Sequence, residues 1–180
     1  MRTIGLAVLL ALAVGAGCGT PPPTTPVAVA TVPVEVTEVR YVALDAAVTE
    51  RKGKVVLMDF WATWCGPCVK KFPHFVETHK KYSNKGMVCV SVSLDPKGKD
   101  EKYDKDAVLK FLKDKGAAFP NFVLLGYRTD EEKINKRFGL DGGIPFMALF
   151  GKDGKRVWHS EEKDLEDEEL DKLIEAELAK

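Results

Sequence analysis

The chain has 180 residues, 45% of them apolar, which is enough for a real core and makes one domain the natural count. Its 27 basic and 27 acidic side chains cancel, so no charge excess points to a nucleic-acid partner. The four cysteines, Cys18, Cys65, Cys68 and Cys89, are even in number but sit in unlike settings, so position matters more than count.

Arg2 precedes an apolar stretch from Ile4 to Val14, and Gly15-Ala16-Gly17 runs into Cys18. Residues 1–17 thus have the layout of a secretory signal. The apolar stretch is shorter than the roughly 20 residues of a membrane-spanning helix. Small residues ending on a cysteine resemble the lipobox of bacterial lipoproteins, with Gly15 where leucine is usual. The resemblance implies cleavage before Cys18 and lipidation of Cys18, hence a protein anchored to a membrane of the bacterial cell envelope, in the periplasm or on the outer face. An ordinary signal peptide cut near Cys18, or an uncleaved anchor, are the alternatives. Gly19 to Pro33 holds five of the ten prolines and reads as an extended, semi-rigid spacer. A linker over 18–38 and a folded domain over 39–180 follow.

Val34 to Leu44 alternates enough to predict a strand, and Asp45 is placed to cap a short helix through Arg51. Lys52-Gly53-Lys54 turns into Val55–Trp61, a near-continuous apolar run that suits a strand buried on both faces. From there Val69, Phe72, Phe75 and Val76 recur at helical steps, predicting a helix to about Ser83 with Pro73 inside it. Met87 to Leu94 predicts the next strand, with Cys89 in it as a small apolar filler. Asp95 to Lys105 reads as a solvated loop. A helix over Ala107 to Lys115 stops at Gly116, and Phe122 to Leu125 predicts a strand. Thr129 with Glu132 has the form of a capping box opening a helix to Phe138, ended by Gly139. Phe146–Phe150, a turn over Gly151–Gly154 and Lys155–Trp158 predict a hairpin. Asp164 to Ala179 predicts a last helix with Leu165, Leu170, Leu173, Ile174 and Leu178 inward and an acidic outer face.

The chemistry concentrates at Trp64-Cys65-Gly66-Pro67-Cys68, where the central strand hands over to a helix. The first turn of a helix has unpaired N–H groups and the positive end of the macrodipole, so a cysteine there favours its thiolate. Such motifs lower the cysteine pKa from about 8.5 to roughly 3.5–7.5. The thiolate is the species that attacks a disulfide. Cys65 is therefore the candidate nucleophile and Cys68, one turn in, the candidate resolving thiol. Pro67 is tolerated early in a helix, and Gly66 puts no side chain in a partner's way. Half a zinc site is the competing reading, but no second pair at that spacing exists, and His74 and His79, five apart, share a helix face poorly. No metal and no cofactor is expected.

Asp59-Phe60-Trp61-Ala62-Thr63-Trp64-Cys65-Gly66-Pro67-Cys68 resembles the active-site segment of thioredoxins. Gly143-Ile144-Pro145, with the hairpin after it, resembles their cis-proline loop, and the insert and lipid signal resemble the membrane-tethered TlpA/ResA branch. The resemblance implies an α/β fold of thioredoxin type: a central mixed sheet flanked by helices, with an insert between the two halves. It implies a thiol–disulfide oxidoreductase acting as a disulfide reductase, with Asp59 taking the proton of the resolving thiol. A buried carboxylate has its pKa raised towards neutrality, which suits a base. Thioredoxins often pair that acid with a lysine on the next strand, where this chain aligns Ser91. Trp64, Gly66, Pro67, Ile144 and Pro145 become the substrate-docking surface, with Ile144 pairing to an extended client segment. Expected partners are disulfide-bonded or thiol-containing envelope proteins and a membrane electron donor. A thiol peroxidase of the peroxiredoxin type is the alternative enzyme, although its usual Pro-x-x-x-Thr-x-x-Cys setting is absent. A tethered adaptor or chaperone is the non-enzymatic alternative.

Overall fold

The computed structural model describes residues 33–97, 101–141 and 143–180. The expected signal, Cys18 and the proline-rich stretch before Pro33 lie outside the described residues. In chain order the elements are β1 (Thr37–Val39), α1 (Tyr41–Thr49), β2 (Val55–Trp61), α2 (Gly66–Tyr82), β3 (Met87–Ser93), α3 (Lys105–Lys115), β4 (Asn121–Leu124), α4 (Glu131–Phe138), β5 (Phe146–Phe150), β6 (Arg156–His159) and α5 (Asp167–Ala179).

They form one six-stranded sheet in the order β1-β4-β3-β2-β5-β6. β1, β4, β3 and β2 run parallel, β5 pairs antiparallel with β2, and β6 pairs antiparallel with β5. This is the mixed α/β sheet that the thioredoxin resemblance implies. All seven residues of β2 are buried, as a strand covered on both faces must be. Their alternation splits the core. Val55, Leu57 and Trp61 face a layer with Phe72 and Phe75 of α2, Leu112 of α3 and Ile174 of α5. Val56, Met58 and Phe60 face the other layer, with Leu44 and Val48 of α1 and Ile134 and Phe138 of α4. Helices thus cover both sides of the sheet, and both cysteines of the pair belong to the first layer.

Three local expectations are corrected. The strand expected to Leu44 ends at Val39, and α1 begins at Tyr41. Leu44, Ala47 and Val48 bury at three- and four-residue spacing, and that face outweighs the strand preference of Val39, Tyr41 and Val42. Asp45 therefore sits inside the helix, where it accepts a hydrogen bond from Arg137 at 2.6 Å. The Thr129–Glu132 capping box does not form: α4 starts one residue later, after Asp130, without a side-chain cap. A capping box is present instead at α5, between Glu166 and Glu169. Finally, β1 crosses the boundary drawn at 38/39, and Val34 and Val36 already pack on the core. Gly116 and Gly139 end α3 and α4 in the left-handed conformation, as read from the sequence.

Candidate active site

β2 carries the chain to Trp61, and the turn after it is held from β3. In the parallel pairing Trp61 stands opposite Ser93, so residue 63 comes level with residue 95. The Thr63 N–H donates to the Asp95 carboxylate at 3.1 Å, and the Thr63 hydroxyl donates to it as well. Ser93 Oγ donates to the same carboxylate at 2.6 Å, and the Leu94 N–H reaches Trp61 O at 2.7 Å. Asp95 is buried, not part of a solvated loop. The sequence reading missed it; the in-register position just past two paired strands was the available signal.

Two residues further on, Cys65 is the N-cap of α2, and Pro67 stands within the first helical turn. Cys65 and Cys68 are joined by a disulfide. The Cys68 N–H donates to Cys65 Sγ at 3.2 Å, so an unpaired donor of the helix start points at that sulfur. The first turn contains no acidic side chain. Both features favour negative charge on Cys65 when the bond is reduced. Cys65 keeps 6% of its surface accessible and Cys68 2%. Around them Gly66 and Pro67 are exposed, a Cβ built on Gly66 would meet nothing, and Trp64 is 51% exposed. Lys97 Nζ lies 4.0 Å from the centre of the Trp64 ring.

From the other side, the Ile144–Pro145 peptide bond is cis, and Ile144 O lies 3.7 Å from Cys65 Sγ. Cys65, Cys68, Trp64, Gly66, Pro67, Ile144 and Pro145 are thereby gathered at one end of the sheet. Asp59 approaches from beneath, sharing its sheet face with Leu57 and Trp61. It is 4% exposed, and its carboxylate makes no hydrogen bond among the described residues. Burial pushes its pKa up to about 7, with Lys71 pulling slightly the other way. Ser91 is its neighbour in register, as aligned from the sequence, but the Ser91 hydroxyl donates to Asn121 Oδ1 at 2.8 Å. Cys89 is a buried free thiol whose pKa is raised by burial and by the nearby Asp59 charge. His74 turns to Asp167 at 3.3 Å, while His79 meets the Phe119 ring edge-on with 5.0 Å between ring centres.

A mixed sheet with a linked cysteine pair opening its central helix, faced by a cis-proline, defines the thioredoxin-like class. The family model described as Redoxin matches residues 43–174, and the chain belongs to that family. It is 36% identical over 107 residues to the thiol-disulfide oxidoreductase ResA of Bacillus thuringiensis (strain Al Hakam), covering 59% of this chain and 54% of that protein. ResA of Bacillus anthracis matches with the same figures. The chain spans about half the length of these curated relatives. A crystal structure of a candidate thiol:disulfide interchange protein DsbE from Chlorobium tepidum matches at 30% identity and a TM-score of 0.55, over 73% of this chain and 84% of that one. A thioredoxin-family thiol:disulfide interchange protein from Chlorobium tepidum TLS matches at 23% identity and a TM-score of 0.57, covering 74% and 84%. That second likeness is one of fold alone.

Proposed function

We propose that the protein is a thiol–disulfide oxidoreductase that reduces disulfides of envelope proteins, tethered outside the cytoplasm through a lipid on Cys18. The observation that carries this is the Cys65–Cys68 pair at the start of α2, with a helix N–H aimed at the outer sulfur. In the reduced protein the Cys65 thiolate attacks a client disulfide. A bond forms between Cys65 Sγ and one client sulfur, and the other client sulfur leaves as a thiolate and is protonated. Cys68 then gives its proton to Asp59 and attacks Cys65 Sγ. The Cys65–Cys68 disulfide forms, the second client thiol is released, and two electrons have passed to the client. A membrane electron donor returns the pair to its dithiol. Trp64, Gly66, Pro67, Ile144 and Pro145 form the surface where an extended client segment lies.

The naming of the Bacillus relatives as thiol-disulfide oxidoreductases supports the exchange chemistry. The resemblance of Gly66-Pro67 to reducing thioredoxins favours reduction as the direction. The signal-like residues 1–17 and the cysteine after them support the tether; among the described residues no helix is long and apolar enough to cross a membrane.

Insulin reduction tests the chemistry. The wild-type chain is expected to reduce insulin, Cys65→Ser and Cys68→Ser to be inactive, and Cys68→Ser to accumulate a mixed disulfide. Activity surviving Cys65→Ser would remove that residue as nucleophile. The tether is tested by metabolic labelling with a fatty acid: Cys18→Ala is expected to lose the label and the membrane retention. Retention unchanged in that variant would end the lipoprotein reading.

A further inference from the structure

Next to the cysteines lies a cavity of about 500 Å³, within the roughly 300–1,000 Å³ range of ligand-holding clefts. Trp64, Leu124, Tyr127 and Ile144 give it aromatic and aliphatic walls, and the exposed cations Lys97 and Arg128 line it too. Trp64 and Ile144 tie it to the redox site, since one precedes Cys65 and the other places its carbonyl against Cys65 Sγ. Among its lining residues the free charge is positive. The single acid among its lining residues is Glu101, and that carboxylate is committed: it pairs with Arg40 at 3.2 Å and accepts from the Gly126 N–H. No carboxylate of the described residues pairs with Arg128, and the Lys97 ammonium meets the face of Trp64 instead of an acid. Among the described residues, two positive charges without a carboxylate partner thus border an apolar hollow, while the more distant charges of Glu131, Asp141 and Glu161 act on the Tyr127 phenol.

We propose that this cavity selects the client: it takes an aromatic side chain of an acidic segment next to the disulfide to be exchanged, with the client's carboxylates meeting Lys97 and Arg128. The aromatic ring stacks between Trp64 and Tyr127, an arrangement that buries much apolar area at low conformational cost. The carboxylates steer approach and orient the segment, which is what complementary charge at an interface does best. This rests on the disulfide-exchange reading above and names the substrate class for that site.

The test uses the full chain, reduced, and peptides of one sequence whose cysteine is capped as a methyl disulfide. One peptide carries phenylalanine and two aspartates beside the cysteine. A second replaces the aspartates by lysines, and a third replaces the phenylalanine by serine. At low salt the first is expected to react about tenfold faster than the second, since two exposed charge contacts together amount to about that factor. The third is expected to lag the first severalfold. High salt shrinks the charge preference, and Lys97→Glu with Arg128→Glu inverts it. Equal rates for the acidic and basic peptides, or a preference untouched by charge reversal, would overturn the proposal. Reduction of bis(2-hydroxyethyl) disulfide, which carries no charge and no ring, reports on exchange alone. If the wild type fails there, the exchange reading falls. Binding of the serine-for-cysteine peptides, followed by the Trp64 indole resonance, then judges the cavity by itself: equal affinity for the acidic and basic forms overturns it.

Discussion

Asp59 is a carboxylate without a hydrogen bond among the described residues, set in a strand buried along its whole length. Burial lifts its pKa to about 7, so between about pH 4 and pH 7 the folded chain holds a proton that the unfolded chain has lost. The stability tied to the neutral acid is complete below the ordinary carboxylate range and drains away as pH rises through about 7. Asp59→Asn removes that titration. The difference in unfolding free energy between wild type and variant is therefore expected to shift against the wild type from pH 4 to pH 8, by roughly 4 kcal/mol at most. Urea unfolding at several pH values measures it, and a difference flat across that range would refute the raised pKa. In activity, the same variant should slow release from the mixed disulfide by roughly 10²-fold if Asp59 takes the proton of Cys68. The cysteines and this acid were readable because each breaks a local rule: thiols at a helix start, a charge in an apolar run. Asp95 broke no such rule. It follows a strand and opens a charged stretch, and only the pairing of β2 with β3 brings it to Thr63.

At the scale of elements, apolar pattern predicted best where one helix or strand supplies its own burial. β2, α2, β3 and β5 fall close to the stretches expected, since their runs are long and their neighbours complete them. Weaker segments were decided by tertiary contact. The first turn of α1 reads as the end of a strand, yet Leu44 and Val48 must meet Phe138 and Ile134 in one layer. The cap at α5 uses glutamate in the place where serine or threonine is the familiar sign, so nothing marked it. Gly139 shows a junction where two requirements coincide. Its φ is +90°, and a Cβ there would stand 2.9 Å from the His159 ring, which lies against Phe146 at 5.8 Å between centres. Gly139→Ala is expected to cost on the order of 1–3 kcal/mol, more than the left-handed turn alone demands. Thermal unfolding reads this loss; a variant as stable as the parent would show that His159 moves aside freely.

For the whole molecule, the sheet begins before the domain boundary drawn at residue 39. β1 pairs with β4, the Asn121 side-chain amide donates to Glu35 O at 3.3 Å, and Glu38 accepts from the Tyr103 hydroxyl and from Lys105. A chain starting at residue 39 loses all of these, together with Val34 and Val36. It is expected to be less stable than a chain starting at Val34 by roughly 2–4 kcal/mol. Denaturant midpoints of the two truncations decide it, and equal midpoints would restore the boundary at 39. The alternation from Val34 to Leu44 announces a strand here, but it does not show that only Thr37–Val39 pair or that the fold begins before residue 39.

That same brevity matters at both margins of the sheet. Its outermost strands run only three and four residues. Such stubs leave few free backbone groups for a foreign strand to copy. Molecules crowded side by side on one surface would therefore lack the long, ragged seam from which fibrils start.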